Sequence, residues 1–465
     1  MNIVIVGNGK VGFSLAQQLV QENHDVTIVD LNEDILHRAS DVLDTMVVRG
    51  NAVSASTLLE AGANSADLLI ATTNSDEVNM VCCLTAKNVG TKRTIARIRN
   101  PEYAKSLDEV RRNLKIDRII NPENTTANEI AQLLRFPAAT NIQSFCRGRV
   151  ELMGFRLQEG DFLVGKPLYA LSSQVKKLAL LFCAAERGEE ILIPNGSFVP
   201  HAGDKLYLIG QPHGLDQFFR LLGRYTSATK RVFLLGGGKI SLYLLDILSE
   251  MGTDVKLVEL DHARCRQIKE KYPKVTVLCG DGTDQELLES EQFASSDAFI
   301  ALTDRDEDNV LISLFAMQQG IPKVIAKCNR DNYSSIARSV GLDSVLSAKF
   351  ITASHILHLV RGMQNSHGSV MNSLYRIADG KAEAVEFTVA ANTRNLGVPL
   401  KDLALRPGIL IAVIVRDRDV IIPEGNSSLQ ANDRVILISR AGGILDLNDI
   451  FVPEDDPSDL AGGIL

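Results

Sequence analysis

The stretch Ile3–Gly12, IVIVGNGKVG, sets four consecutive apolar residues against a glycine-rich turn. An unbroken run of Ile and Val suits a strand covered on both faces, and the spacing Gly7-x-Gly9-x-x-Gly12 suits a turn from that strand into a helix. In such a turn the first glycine bends the chain, the second lets a pyrophosphate approach the backbone, and the third allows helix and strand to pack closely. Apolar residues at helical spacing follow, at Leu15, Leu19 and Val20. Asp30 closes the next apolar run, DVTIVD (Asp25–Asp30), where a carboxylate can accept hydrogen bonds from both ribose hydroxyls of an adenosine. It would also repel a 2′-phosphate, which favours NAD-type or ATP-type ligands over NADP. The same carboxylate could instead cap the following helix.

The chain then repeats itself. VFLLGGGKIS (Val232–Ser241) matches IVIVGNGKVG, DVKLVE (Asp254–Glu259) matches DVTIVD, and AFIALTDRDEDN (Ala298–Asn309) matches LLIATTNSDEVN (Leu68–Asn79). The correspondence continues through VIAKCNRDNY against TIARIRNPEY and LDSVLSAK against IDRIINPE, then through LGVPLKDL against VGKPLYAL. Within each half, short apolar runs alternate with helix-period stretches, the pattern of βαβ units. The segments behind them alternate apolar and polar residues around Gly-Glu and Gly-Asp turns. The expected architecture is α/β: two Rossmann-like, doubly wound parallel-sheet domains, each followed by a small strand-rich α+β domain. The expected boundaries are 1–137 and 226–365 for the nucleotide-type domains, 138–225 and 366–450 for the small ones, and 451–465 for a tail. A helix over Glu123–Phe136, capped by Thr125 or Thr126 with Glu129, is expected to leave the first sheet with an exposed apolar stripe at Ile130, Leu133 and Leu134 that meets a partner subunit.

Composition narrows the function. The 465 residues exceed what one core accommodates, and the longest apolar runs fall short of the ~20 residues a membrane span needs. A formal charge of -8 offers no net attraction to nucleic acid, which is not expected as a partner. Residues 1–10 enter a strand pattern with no basic n-region, so a cytoplasmic protein is expected. The seven cysteines form no C-x-x-C and mostly sit in apolar runs, which suits reduced core thiols rather than disulfides or zinc. His355 and His358 stand three apart but lack an accompanying carboxylate or cysteine, so no metal is expected there. The acidic TDRDEDN segment reads as a helix start.

By position, the ligand candidates beyond Gly7, Gly9, Gly12 and Asp30 lie at the carboxyl ends of the strands: Asn51 and Ala52, then Thr73 and Asn74, then Arg97. Their counterparts are Gly236, Gly237 and Gly238, Glu259, Asp281 and Gly282, Thr303 and Asp304, and Lys327. Arg97 and Lys327 are cations suited to balancing phosphate charge, unless solvated at the surface. Ser241 stands where the first loop has Gly12, and its extra atoms should push helix and strand apart, making the second site the less secure. Neither small domain pairs an acid with a base, and no P-loop lysine-serine pair is present, so a regulatory protein is expected rather than an enzyme. The alternatives are an NAD-dependent oxidoreductase and a soluble nucleotide sensor without a membrane partner.

The order IVGNGKVG, VTIVD, VRGNA, LLIATTNSDEVNMVC and IARIRNP, followed by GKPL and GDKLYLIG, resembles the regulator-of-potassium-conductance (RCK) module. Its tandem duplication resembles the TrkA family of Trk-system potassium uptake proteins, over nearly the whole chain. The resemblance implies a cytoplasmic subunit, peripheral to the membrane, that binds NAD(H) and possesses a crevice open to ATP or ADP. It further implies a homotetramer that gates a membrane potassium channel subunit of the TrkH or TrkG kind. It extends the binding role to Asn8, Lys10 and Val11 in the first loop and to Lys239 and Ile240 in the second. Two departures are Ser241 and the RGNA segment, which lacks the Gly-Asp that CGDGTD keeps.

Overall fold

The computed structural model describes all residues except 104–106, 189, 225–228, 365–367, 441–442 and 453–465. The expected tail beyond Val452, and the junctions near 225 and 365, therefore lie outside the described residues. The chain forms two compact units, residues 1–134 with 229–357 and residues 135–228 with 358–465. Each unit thus draws one module from each half of the sequence.

The first unit holds the two nucleotide-type domains. The first of these runs β1 (Asn2–Val6), α1 (Lys10–Gln21), β2 (Asp25–Asp30), α2 (Glu33–Val42), β3 (Met46–Arg49), α3 (Ala55–Glu60), β4 (Leu68–Ala71), α4 (Asp76–Val89), β5 (Arg93–Arg97), α5 (Leu107–Asn113), β6 (Arg118–Ile120) and α6 (Pro122–Arg135). Its strands form one sheet in the order β3-β2-β1-β4-β5-β6, parallel at every described pairing. The order reverses between β1 and β4, and the crevice at the carboxyl ends of those two strands is where such sheets bind ligands. Ile3 to Val6 and Leu68 to Ala71 are buried throughout, as strands with helices on both faces must be.

The stripe on α6 is not exposed, contrary to expectation: Ile130, Leu133 and Leu134 are all buried within the chain. Nor do the threonines cap this helix. Asn121 Oδ1 accepts from the amide of Asn124 at 2.9 Å with Pro122 in the first turn, while the Thr125 and Thr126 hydroxyls donate back to Asn121 O and Pro122 O. Thr229 then ties the second copy to this helix, its hydroxyl donating to Leu134 O at 2.8 Å.

Between the two nucleotide-type domains in sequence come β7 (Asn141–Phe145), β8 (Val150–Arg156), α7 (Leu168–Val175), β9 (Leu180–Arg187), β10 (Glu190–Leu192), β11 (Lys205–Gly210) and α8 (Pro212–Leu221). The second nucleotide-type domain runs β12 (Arg231–Leu235), α9 (Lys239–Glu250), β13 (Asp254–Glu259), α10 (His262–Lys271), β14 (Thr276–Cys279), α11 (Gln285–Ser290), β15 (Ala298–Ala301), α12 (Asp306–Gln318), β16 (Lys323–Lys327), α13 (Asp331–Ser339), β17 (Val345–Leu346) and α14 (Ala348–Gln364). Its sheet repeats the first, in the order β14-β13-β12-β15-β16-β17.

The second unit holds both small domains. Strands β7 to β11 form an antiparallel sheet in the order β10-β9-β11-β8-β7. The strands β18 (Val370–Ile377), β19 (Ala382–Thr388), β20 (Ile409–Arg416), β21 (Asp419–Ile421) and β22 (Arg434–Ser439) form the other, in the order β18-β19-β22-β20-β21. The two sheets share one apolar core that includes Leu152, Cys183, Tyr207, Ala384, Val413 and Ile436. Phe145 meets Tyr375 edge to face at 5.0 Å, and Tyr207 Oη accepts from the Ala378 amide at 3.2 Å. Each sheet also carries the same ion pair, built on a buried aspartate. Arg187 grips Asp204 with two bonds of 2.6 and 2.9 Å, and Arg416 grips Asp433 with bonds of 2.8 and 2.9 Å.

Candidate functional site

Both glycine loops close in the same way. Gly7 has φ +89° and Gly236 φ +93°, a left-handed conformation that a side chain rarely tolerates. An added Cβ at Gly7 would stand 2.8 Å from the Thr73 nitrogen, so the loop lies directly on the end of β4. The Gly7 amide donates to Val29 O at 2.8 Å and the Gly236 amide to Val258 O at 2.9 Å. At Gly9 and Gly238 a Cβ would meet nothing within 4 Å, leaving open space beside the amino ends of α1 and α9. Neither helix has a side-chain cap or an acidic residue in its first turn, although α2, α4 and α10 are capped by Asn32, Ser75 and Asp261. The first-turn amides of α1 and α9, which include those of Lys10, Val11, Lys239 and Ile240, are free of a side-chain cap and suit an anionic diphosphate. Lys10 and Lys239 are exposed there, whereas Val11 and Ile240 turn inward.

The acidic residues at the strand ends are locked in the same geometry in both copies. Asp30 Oδ2 accepts from the Asn8 amide at 2.7 Å and Oδ1 from the Asn32 amide at 2.9 Å. Glu259 Oε2 accepts from the Gly237 amide at 2.6 Å and Oε1 from the Asp261 amide at 2.9 Å. The helix cap after β2 is Asn32 rather than Asp30. Each carboxylate oxygen retains a lone pair beyond the one used, so an orientation fixed by two amides leaves acceptors for two hydroxyls.

At the ends of β4 and β15 the candidates are held by two asparagines that position-by-position reading did not single out. Asn79 is wholly buried, and its Oδ1 accepts from the Thr73 amide at 2.9 Å and the Thr73 hydroxyl at 2.7 Å. Its Nδ2 donates to Arg97 O at 2.8 Å, so one side chain joins the loops after β4 and β5. Asn309 makes the same bonds to Thr303 and to Lys327 O. The signal was present as the last letter of the repeated segments LLIATTNSDEVN and AFIALTDRDEDN. The acidic segments do open helices, and they do more than favour the dipole. Asp76 Oδ2 accepts from the Arg99 and Asn100 amides, and Asp306 Oδ2 from the Asn329 and Arg330 amides.

The two cations are not solvated. Arg97 is largely buried, with Nη2 3.1 Å from Glu123 Oε1; burial pushes the guanidinium pKa down, and Glu123 opposes that. Lys349 occupies the position of Glu123 in the second copy, and Lys327 instead reaches Asp304 Oδ1 at 3.0 Å. Asn74 O is bonded by Arg99, Asn51 Oδ1 turns back on the Val53 amide, and Asp281 Oδ1 binds the amide and hydroxyl of Thr283. Ala52 is buried, and a Cβ on Gly282 would strike Leu235 at 1.9 Å. Among the described residues no three His, Cys, Asp or Glu side chains converge as a metal site.

Ser241 is bonded to the loop it follows. A Cβ at Gly12 would stand 1.9 Å from Gly7 O, yet Ser241 is fully buried and its hydroxyl donates to Gly236 O at 2.5 Å. The opening helical bonds Phe13 N–Gly9 O and Leu242 N–Gly238 O measure 3.0 and 3.1 Å, so α1 and α9 begin alike.

Two dinucleotide-type crevices in tandem, each followed by a small antiparallel domain, define a duplicated RCK-type protein. The TrkA-N domain matches residues 3–122 and 232–348, and the TrkA-C domain matches residues 152–223 and 384–452. The chain belongs to the family of Trk system potassium uptake proteins TrkA. It is 35% identical over 461 residues to the Trk system potassium uptake protein TrkA homolog 1 of Methanosarcina mazei, covering 97% of this chain and 100% of that one. Over 459 residues it is 32% identical to the TrkA protein of Vibrio alginolyticus, covering 97% and 99%. Among solved structures it shares the fold of the GsuK RCK domain with a TM-score of 0.63 at 19% identity, covering 94% of this chain and 92% of that one. It likewise shares the fold of the GsuK channel bound to NAD, with a TM-score of 0.62 at 19% identity over 94% and 76%.

Proposed function

We propose that this protein is a regulatory subunit of a Trk-type potassium uptake system, working at the inner face of the membrane and reporting the adenine nucleotide state to a membrane-embedded potassium channel of the TrkH or TrkG kind. Its family membership supports the potassium role. The observation that carries the nucleotide role is the locked carboxylate beside an uncapped helix, present twice: Asp30 with α1 and Glu259 with α9. NAD(H) fits this arrangement, with its diphosphate on the helix amides and its adenosine ribose on the carboxylate, and ATP or ADP would share the phosphate and ribose contacts. No helix of the described residues is long and apolar enough to cross a membrane, which accords with a separate membrane partner.

The polar groups around the crevices hold backbone loops in place rather than forming an acid–base pair, which favours a binding switch over an oxidoreductase. A ligand shifts such a switch only through unequal affinity for its two states, and couplings of ~1–3 kcal/mol change an opening ratio 5–150-fold. NADH extends past the diphosphate where ATP ends in a further phosphate, so exchanging them should alter ion flux. A homotetramer would bring eight nucleotide-type modules into one assembly. Titration of the full-length protein with NADH and ATP, paired with potassium flux in liposomes holding the membrane subunit, tests this reading. Simultaneous occupation of the first crevice by both ligands, or equal flux with either, excludes it, and cofactor turnover would revive the oxidoreductase.

A further inference from the structure

The second crevice carries a thiol cluster that the first lacks. Cys279 ends β14 in register with Glu259 on β13. Its sulfur lies 3.0 Å from His262 Nδ1 and 3.9 Å from Leu260 O. From the first turn of α10, the Cys265 thiol donates to Glu259 O at 3.3 Å. The two sulfurs thus reach adjacent peptide carbonyls, and burial, then the neighbouring Cys279, push the Cys265 thiol up to about 12. In the first copy the same positions hold Arg49, in register with Asp30, Glu33 and Leu36. There Arg49 Nη1 pairs with Glu33 Oε2 at 2.5 Å. The duplicated fold thus closes this corner with an ion pair and a leucine in one copy, and with a thiol–imidazole pair and a second thiol in the other. Cys279 is exposed, whereas the other six cysteines are buried.

We propose that Cys279 and Cys265 form a peroxide-responsive dithiol site, with Cys279 oxidised first and Cys265 closing it to a disulfide within the chain. His262 Nδ1 takes the Cys279 proton, and the thiolate attacks one oxygen of a hydroperoxide. The S–O bond forms as the O–O bond breaks, and the departing oxygen takes the proton from the imidazolium. The Cys265 sulfur then attacks the Cys279 sulfenic acid; the S–S bond forms, the S–O bond breaks, and hydroxide leaves with the Cys265 proton as water. With hydrogen peroxide the balance is two thiols oxidised by two electrons and one peroxide reduced to two waters. An external thiol reductant reverses it. The order follows from access, since a buried thiol held protonated is a poor first nucleophile whereas Cys279 is exposed and beside a base. The bond would tie the end of β14 to α10 behind the peptide of Glu259, whose carboxylate holds the second glycine loop.

The site stands whether or not the second crevice takes a nucleotide, and its test reads the thiols directly. The reduced full-length protein is treated with hydrogen peroxide, digested without reductant and analysed by mass spectrometry. The expected product joins the peptide holding Cys265 to the peptide holding Cys279, and dithiothreitol releases it. Cys265→Ser should lose the cross-link and accumulate a dimedone-reactive sulfenic acid at Cys279, whereas Cys279→Ser should lose both products. Circular dichroism matching the parent establishes that these variants fold, and His262→Asn should slow the labelling without moving the spectrum. A Cys265→Ser protein with no adduct at Cys279, or a parent whose only disulfides join two chains, overturns the proposal.

Discussion

The Ser241 hydroxyl donates to the carbonyl of Gly236 at 2.5 Å, and in the first copy the Thr72 hydroxyl donates to the matching carbonyl of Gly7 at 3.0 Å. Thr72 has Leu302 as its counterpart, and Ser241 has Gly12. Each glycine loop thus keeps one hydroxyl on its bend, supplied from the strand end in one copy and from the helix in the other. A buried carbonyl left without its partner is costly, which explains why losing one hydroxyl accompanies gaining the other.

Ser241→Gly should therefore destabilise the second nucleotide-type domain by about 1–3 kcal/mol, through the lost bond and the glycine placed in α9. Adding Leu302→Thr should recover part of that loss. Thermal unfolding of the single and double variants checks both, and an unchanged midpoint for Ser241→Gly would show that the hydroxyl carries no weight.

At Asp30 the expected effect is on ligand binding. Replacing it by Ala removes charge-assisted bonds worth about 1.5–3 kcal/mol, roughly 10- to 150-fold in the affinity for NADH at the first crevice. Asp30→Asn should weaken NADH less and narrow the discrimination against NADPH, because the repulsion of a 2′-phosphate disappears. Calorimetric titration with both dinucleotides decides, and equal affinities in parent and Asp30→Ala would remove the carboxylate from the site.

Tyr243 joins the two nucleotide-type domains: Asn121 Nδ2 donates to its oxygen at 2.8 Å, and the phenol donates to Arg99 O at 3.2 Å. Tyr243→Phe deletes both bonds without opening a cavity, at a cost of about 1–2 kcal/mol. Hydrogen exchange should quicken around residues 98–100 and 121–124 while both sheets stay protected. Unchanged exchange would mean that packing alone couples the domains.

Lys323 is buried at the start of β16 with its ammonium 2.9 Å from Ser344 Oγ, and burial pushes its pKa from 10.5 down to about 7. The unfolded chain therefore holds this proton more tightly than the folded one, and protonation favours unfolding. The penalty is absent above pH 10.5, grows as pH falls toward 7, and is complete below that. Lys323→Met should raise stability at neutral pH and flatten the rise in stability between pH 7 and 10. Denaturant melts at several pH values test this, and parallel curves for parent and variant would contradict it.

The duplication, the βαβ alternation, both glycine loops and the acid at the end of the second strand were all legible in the chain, because each is a local pattern set by covalent neighbours. Periodicity also showed an apolar stripe on α6, but whether Ile130, Leu133 and Leu134 face a partner or their own chain depends on residues far away in sequence. The same limit hid the counter-charges. Arg97 and Lys327 occupy matching positions, yet one finds Glu123 and the other Asp304, since Lys349 replaces the distant acid in the second copy.

By itself the sequence determined what each module is; tertiary structure decided which modules combine. The nucleotide-type domains of both halves form one unit and the small domains the other, although each lies next in sequence to its unlike neighbour. The reason is physical. A strand or a glycine turn is specified by a handful of adjacent residues, whereas the apolar face that closes a core, the hydroxyl that reaches a carbonyl and the thiol that meets an imidazole are specified by surfaces brought together only when the whole chain has folded.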